Sequence, residues 1–317
     1  MPRAIDLAMG EDRPAKQYVR QMWIEAVASV AQTGLEPVYM TLCGRAGPEI
    51  EMLIEKGVIG LTETGAIAAA DGQRVIAVES SPDAVVDLQR RYPGLKILDQ
   101  SIHDIIGKAS PVAWPTGDKR RYCRARVINL DFDKALSAET AGDSVLFRDL
   151  DVVSKLAQLH ALDQPIDWKL FITYNASLPW AVAVKHAVFA FLRENFDVEP
   201  DFRAAAEQVL GQRLMTVVLE DDIERIDSFT KTERQLILMA FVPKKIGQLV
   251  HNKGWLVRTE RSLRYGGSGS AAPMVTFSLS FRWDTRSAST PHAVYRETLR
   301  SVLANVGHIA DDGTVGS

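Results

Sequence analysis

The chain has 317 residues, 46% of them hydrophobic, and a formal net charge of −3. That is enough for one large α/β domain with insertions or for two smaller domains, and the charge balance demands no polyanionic partner. No apolar run reaches the ~20 residues that cross a bilayer, and Met1-Pro2-Arg3-Ala4-Ile5-Asp6 lacks the apolar core of a signal peptide, so a cytoplasmic location and no membrane partner are expected.

In chain order, residues 1–35 read as an N-terminal helical extension. Proline is tolerated in a first helical turn, so a helix is predicted from Arg13-Pro14, with Val19, Met22, Trp23, Ala26, Val27 and Val30 on one face. A strand over Pro37–Leu42 leads through Cys43-Gly44-Arg45-Ala46-Gly47-Pro48 into a helix carrying Ile50, Leu53 and Ile54. The second strand is Arg74–Val78; Ser80-Ser81-Pro82-Asp83 then opens a helix that Tyr92-Pro93-Gly94 ends. Leu95-Lys96-Ile97-Leu98 is the third strand, 107–125 a loop, and Val127–Leu130 the fourth strand. A helical stretch over 144–162 precedes the fifth strand, Trp168–Tyr174.

Residues 197–230 read as a helical insertion, and Thr230-Lys231-Thr232-Glu233 as a capping box opening a helix to about Asn252. Trp255–Glu260 and the alternating Met274–Phe281 predict an antiparallel hairpin. Residues 286–317 are expected to hold a C-terminal helix and a flexible tail. Cys43 and Cys123 fall at opposite edges of such a sheet, so no disulfide is expected, and the six scattered histidines give no metal-site spacing.

Each of the first five strands is a short apolar run that ends in small or polar residues. Buried parallel strands look this way where their C-terminal ends open onto a ligand crevice. A glycine turn after the first strand and an acid after the second point to a nucleoside-bearing cofactor.

Five β-α units, a long helix and a hairpin resemble the class I S-adenosylmethionine-dependent methyltransferases over about residues 36–283. The resemblance implies an α/β, Rossmann-like sheet of seven mostly parallel strands in the order 3-2-1-4-5-7-6, flanked by helices, with S-adenosylmethionine as cofactor. On this likeness Cys43, Gly44, Ala46 and Gly47 would lie against the methionine part of the cofactor. Ala46 replaces a frequent glycine and the usual acid is missing, and an ordinary strand-helix turn would use the same glycines.

Glu79, followed by Ser80, would take both ribose hydroxyls; the alternative is a surface acid at a helix start. Ser101 and Ile102 would flank the adenine, with Asp99 the alternative, and His103 reads as a surface residue. Asn129-Leu130-Asp131-Phe132-Asp133 would lie beside the reactive methyl, although the Pro-Pro pair of many amino-group methyltransferases is absent.

Methyl transfer needs an aligned nucleophile that loses a proton. Asp131 would take that proton or orient the acceptor, Asn129 would polarise an amide or base edge, and Asp133 completes the catalytic set. Asn175 and Tyr174 would position the substrate. The basic stretch Lys119–Arg126, with Tyr122 within it, suggests an RNA or DNA acceptor, slightly ahead of a small molecule; a solvated charged loop reads the same way. Two other functions compete: a non-catalytic binding or assembly protein, and an NAD-dependent oxidoreductase, against which the absence of G-x-G-x-x-G counts.

Overall fold

A computed structural model describes residues 13–34, 37–107, 123–141, 144–162, 164–177, 179–266 and 271–316. Helix α1 (Pro14–Ala31) precedes β1 (Tyr39–Thr41) and α2 (Pro48–Glu55); β2 (Val75–Val78), α3 (Pro82–Arg91) and β3 (Lys96–Leu98) follow. A π-helical turn at His103–Gly107 precedes β4 (Val127–Ala135) and a small separate hairpin, β5 (Glu139–Ala141) with β6 (Ser144–Leu146). Then come α4 (Arg148–Ala161), β7 (Trp168–Asn175), α5 (Val182–Val198), α6 (Pro200–Leu219) and α7 (Lys231–Val250). The chain closes with β8 (Trp255–Tyr265), β9 (Met274–Trp283), α8 (Pro291–Leu299), β10 (Val306–Ile309) and β11 (Val315–Gly316).

The main sheet has nine strands in the order β11-β10-β8-β9-β7-β4-β1-β2-β3. Its junctions are parallel from β3 to β7, antiparallel at β7–β9, β9–β8 and β10–β11, and parallel again at β8–β10. This overturns the expected seven-stranded, mostly parallel Rossmann-like sheet in the order 3-2-1-4-5-7-6. With it goes the membership in the class I S-adenosylmethionine-dependent methyltransferases that was drawn from that sheet.

The physical reason lies in β8. It does not stop at Glu260 but passes a register shift between Thr259 and Arg261 and runs on to Tyr265. Its added half, Ser262–Tyr265, would expose unpaired backbone groups, and β10 pairs with those four residues. The C-terminal segment therefore holds a nine-residue helix and two strands where a longer helix and a flexible tail were expected.

The sheet separates two apolar cores. The smaller core packs Val19, Trp23 and Val27 of α1, Ile50 and Leu53 of α2 and Leu88 of α3 against Tyr39, Val75 and Val127. The larger core gathers α4 to α7 over Ile128, Leu130, Phe132, Leu170 and Phe277, and takes in Phe202, Leu214 and Ile226 from 197–230. Along β4, alternate residues therefore belong to different cores, as the period of two requires. Among the described residues no helix is long and apolar enough to cross a membrane.

Candidate functional site

The parallel strands β1 to β4 and β7 end on one edge, where most of the candidate residues lie. Gly44 and Gly47 both take left-handed backbone, with φ of 60° and 59°. They do so for different reasons. A Cβ on Gly47 would stand 2.9 Å from both Leu88 and Tyr92, so this glycine lets the start of α2 pack on α3. A Cβ on Gly44 would meet nothing within 4 Å, so that turn borders open space. The carbonyls of Ala46 and Gly47 accept from the Tyr92 hydroxyl at 3.4 and 3.1 Å. Cys43 is buried, and burial followed by the charges of Glu49 and Glu79 pushes its thiol far up. It therefore stays a neutral thiol.

Glu79 follows β2 directly. The pairing of Thr41 with Ala77 carries Glu79 alongside Cys43. Its Oε1 accepts from the backbone N–H of Ser81 at 2.8 Å, which leaves Oε2 without a hydrogen bond among the described residues. Ser80 beside it is exposed. The Ser81 hydroxyl caps α3 by accepting from Ala84 N–H at 3.4 Å. Ser101 is differently occupied: its hydroxyl donates to Asp104 Oδ2 at 2.8 Å and accepts from Asp104 N–H at 3.1 Å. Ile102 is buried in the larger core. These two residues build their own turn, and neither turns a free polar group to the edge.

Asn129 and Asp131 face the smaller core, under α1. Asn129 is fully buried; its Nδ2 donates to Thr41 Oγ1 at 3.3 Å, and its Oδ1 has no partner. Asp131 Oδ2 is held by Lys16 Nζ at 2.6 Å, with the two side chains only 11% and 18% exposed. Beside them lies Glu49, whose Oε1 is 3.5 Å from Arg20 Nε. Burial pushes the Glu49 carboxyl up to about 7, Arg20 opposing and Asp131 adding to the rise. Tyr39 Oη, Glu49 Oε2, Asn129 Oδ1 and Asp131 Oδ1 are all buried without a hydrogen-bond partner. The backbone of Asp133 belongs to β4, and its side chain lies outside the described residues.

Tyr174 and Asn175 are not brought to that flank. Tyr174 is fully buried in the larger core, and its hydroxyl has no partner. Burial, and then the charge of Asp149, pushes it well above the usual phenol range. Asn175 Oδ1 accepts from Ser177 N–H at 2.8 Å and so shapes the turn after β7. Of the basic stretch, Lys119–Tyr122 lie outside the described residues. Arg124 and Arg126 donate to the carbonyls of Gln164 and Asp167, at 2.5 and 3.3 Å, near the start of β7 and away from this edge.

Three groups were missed in the sequence. Lys16 is one polar residue of an amphipathic helix, and Glu49 reads as an ordinary first-turn acid after Pro48. Asp149, fully buried in the first turn of α4, has His103 Nε2 at 3.0 Å. Nothing in the local pattern separates these carboxylates from solvated helix-start acids; only their tertiary neighbours do. A groove between α1 and the first half of β7, around Tyr18, Lys169 and Glu260, lies far from the edge. Lys169 Nζ lies 3.0 Å from Glu260 Oε2 there, and Arg261 donates to the Tyr18 hydroxyl at 2.6 Å.

No protein-family model matches the chain, and no curated protein matches it.

Proposed function

We propose that the edge at the ends of β1, β2 and β3 binds S-adenosylmethionine, and that the chain transfers its methyl group to a nitrogen or oxygen nucleophile. The observation that carries this reading is Glu79. It is a half-buried carboxylate anchored through one oxygen to its own loop, with the other oxygen unengaged beside the open turn at Gly44. A carboxylate so placed suits a vicinal diol, because it accepts two hydrogen bonds in a fixed plane. This carboxylate and this open turn support a nucleoside-bearing ligand, and titration separates S-adenosylmethionine from NAD.

The bound sulfonium would supply an already activated methyl group. The chain has to fix the nucleoside, align the nucleophile and keep water out. Glu79 serves the first task, and Gly44 leaves room for close approach. Asn129 is fully buried and donates to Thr41, so it braces the strand ends beneath α1. Asp131, expected to take a proton, is committed to Lys16 and serves as an anchor for α1. RNA, DNA and small molecules enter the acceptor screen on equal terms, because Arg124 and Arg126 donate to carbonyls near the start of β7, away from this edge.

The test is calorimetric titration with S-adenosylmethionine and S-adenosylhomocysteine, with NAD as control. Micromolar binding of both sulfur nucleosides, weakened at least about tenfold by Glu79→Ala, supports the reading. A preference for NAD would turn it towards hydride transfer. The Lys16–Asp131 pair favours a second reading, cofactor binding without transfer. Affinity without turnover on any acceptor is its signature.

A further inference from the structure

We infer that His103 is the proton acceptor of this site and that Asp149 holds it for that task. The inference rests on the proposed transfer for its substrate, an acceptor O–H or N–H, but its geometry belongs to the chain alone.

Asp149 is the starting point. It is fully buried in the first turn of α4, whose N-cap residue, Phe147, offers no side-chain cap. A carboxylate buried this deeply is costly unless charge or hydrogen bonds compensate. The positive end of α4 gives part of that compensation. The rest comes from His103, whose Nε2 lies 3.0 Å from Oδ1, and from the exposed Lys134, whose Nζ is 4.0 Å from the same oxygen. Neither Asp149 oxygen receives a well-directed hydrogen bond, so the carboxylate keeps capacity for a cation. A proton arriving on the His103 ring would supply it.

The ring itself is fixed. His103 stacks on Phe132, with centroids 6.0 Å apart and planes at 21°. Phe132 stacks in turn on Tyr174, at 5.7 Å and 24°. Phe132 and Tyr174 are buried, whereas the His103 side chain at the outer end of this row stays 17% exposed. Among the described residues, the charged and titratable groups around the ring are Asp149 from α4, Lys134 from β4, Tyr174 from β7 and Asp104 in its own turn, which Ser101 binds. Nε2 is the ring nitrogen beside the carboxylate, 3.0 Å from Oδ1, and Nδ1 makes no hydrogen bond among the described residues. Nδ1 is the ring nitrogen left to act as the base, two residues after Ser101 in the turn that follows β3.

In the step, His103 Nδ1 takes the proton from the acceptor O–H or N–H. The acceptor's electron pair forms the new bond to the methyl carbon as the carbon–sulfur pair stays on sulfur. The resulting imidazolium is balanced by Asp149 and later releases its proton to water.

The test uses the full chain labelled with nitrogen-15. Long-range proton–nitrogen spectra of the wild type should show His103 protonated at Nε2 and bare at Nδ1. Asp149→Asn should erode that preference. His103→Gln should keep cofactor affinity within about twofold by calorimetry, lower turnover by at least about 100-fold and remove its low-pH limb. An Nδ1-protonated ring in the wild type overturns the inference, as does full turnover in His103→Gln. If Asp149→Asn fails to fold, the wild-type spectrum still decides. Failure of the methyl-transfer reading shows separately, as absent cofactor binding in the wild type.

Discussion

Two neighbouring residues of β4 meet opposite fates. Asp131 turns to the α1 flank and is held by Lys16 in a nearly closed ion pair. Phe132 turns to the other flank and stacks against a partly exposed imidazole that adjoins a buried carboxylate. The alternation of a strand thus divides one edge into a sealed flank, where charge is neutralised inside the fold, and an open flank, where a titratable ring still reaches solvent. The carboxylate most prominent in the sequence lies on the sealed flank. Chemistry that needs proton exchange belongs on the open one.

Breaking the seal is the largest test of this contrast. Lys16→Met strands Asp131 in a nearly dry site and should cost roughly 3 kcal/mol, read by urea unfolding. Adding Asp131→Asn should recover at least half of it. A neutral Lys16→Met would mean that the flank is not sealed by this pair.

Next comes the pH dependence of the same flank. Burial pushes Glu49 up to about 7 from an ordinary value of 4.5. The folded chain then holds a proton that the unfolded chain has released, so this contribution to stability is full below pH 4.5. It is lost as pH rises to about 7, by on the order of 3 kcal/mol. Glu49→Gln should flatten that fall. His160, which burial pushes down to about 4, acts in the opposite sense, so the quantity to measure is the wild-type minus Glu49→Gln difference across the window.

The two glycines of the first turn sharpen the contrast between packing and binding. Gly47→Ala forces a left-handed alanine against Leu88 and Tyr92 and should cost roughly 2 kcal/mol. Gly44→Ala meets no neighbour and should cost about 1 kcal/mol, yet lower cofactor affinity more than Gly47→Ala does. Equal affinity losses would put the cofactor elsewhere. The smallest effect belongs to the open flank's interior. Tyr174→Phe removes a hydroxyl without a partner and should change stability by less than about 0.5 kcal/mol or raise it.

Local signals in the sequence reached the structure wherever the physics is local. Thr230 and Glu233 form a reciprocal capping box, with Thr230 N–H donating to Glu233 Oε2 at 2.7 Å. The apolar run at Val75–Val78 is a strand, and Trp255 onward pairs antiparallel with Met274 onward. The strand count was not legible, because β10 and β11 are short: β10 finds its partner on the extended edge of β8, and β11 pairs on β10.

At the site, the placement of Glu79 after β2 and of the glycine turn after β1 shows in sequence order. The burial of Asp149 and Glu49 does not, because their apolar surroundings come from distant segments. His103 looked like a surface residue for the same reason: its partner is 46 positions away on another helix.

The most direct measurement is the affinity of S-adenosylmethionine for the wild type and for Glu79→Ala. Micromolar binding that drops at least about tenfold in the variant, with NAD silent, is the expected result. Absent binding, or binding indifferent to Glu79→Ala, would contradict the assignment of this edge to an adenosine-bearing cofactor.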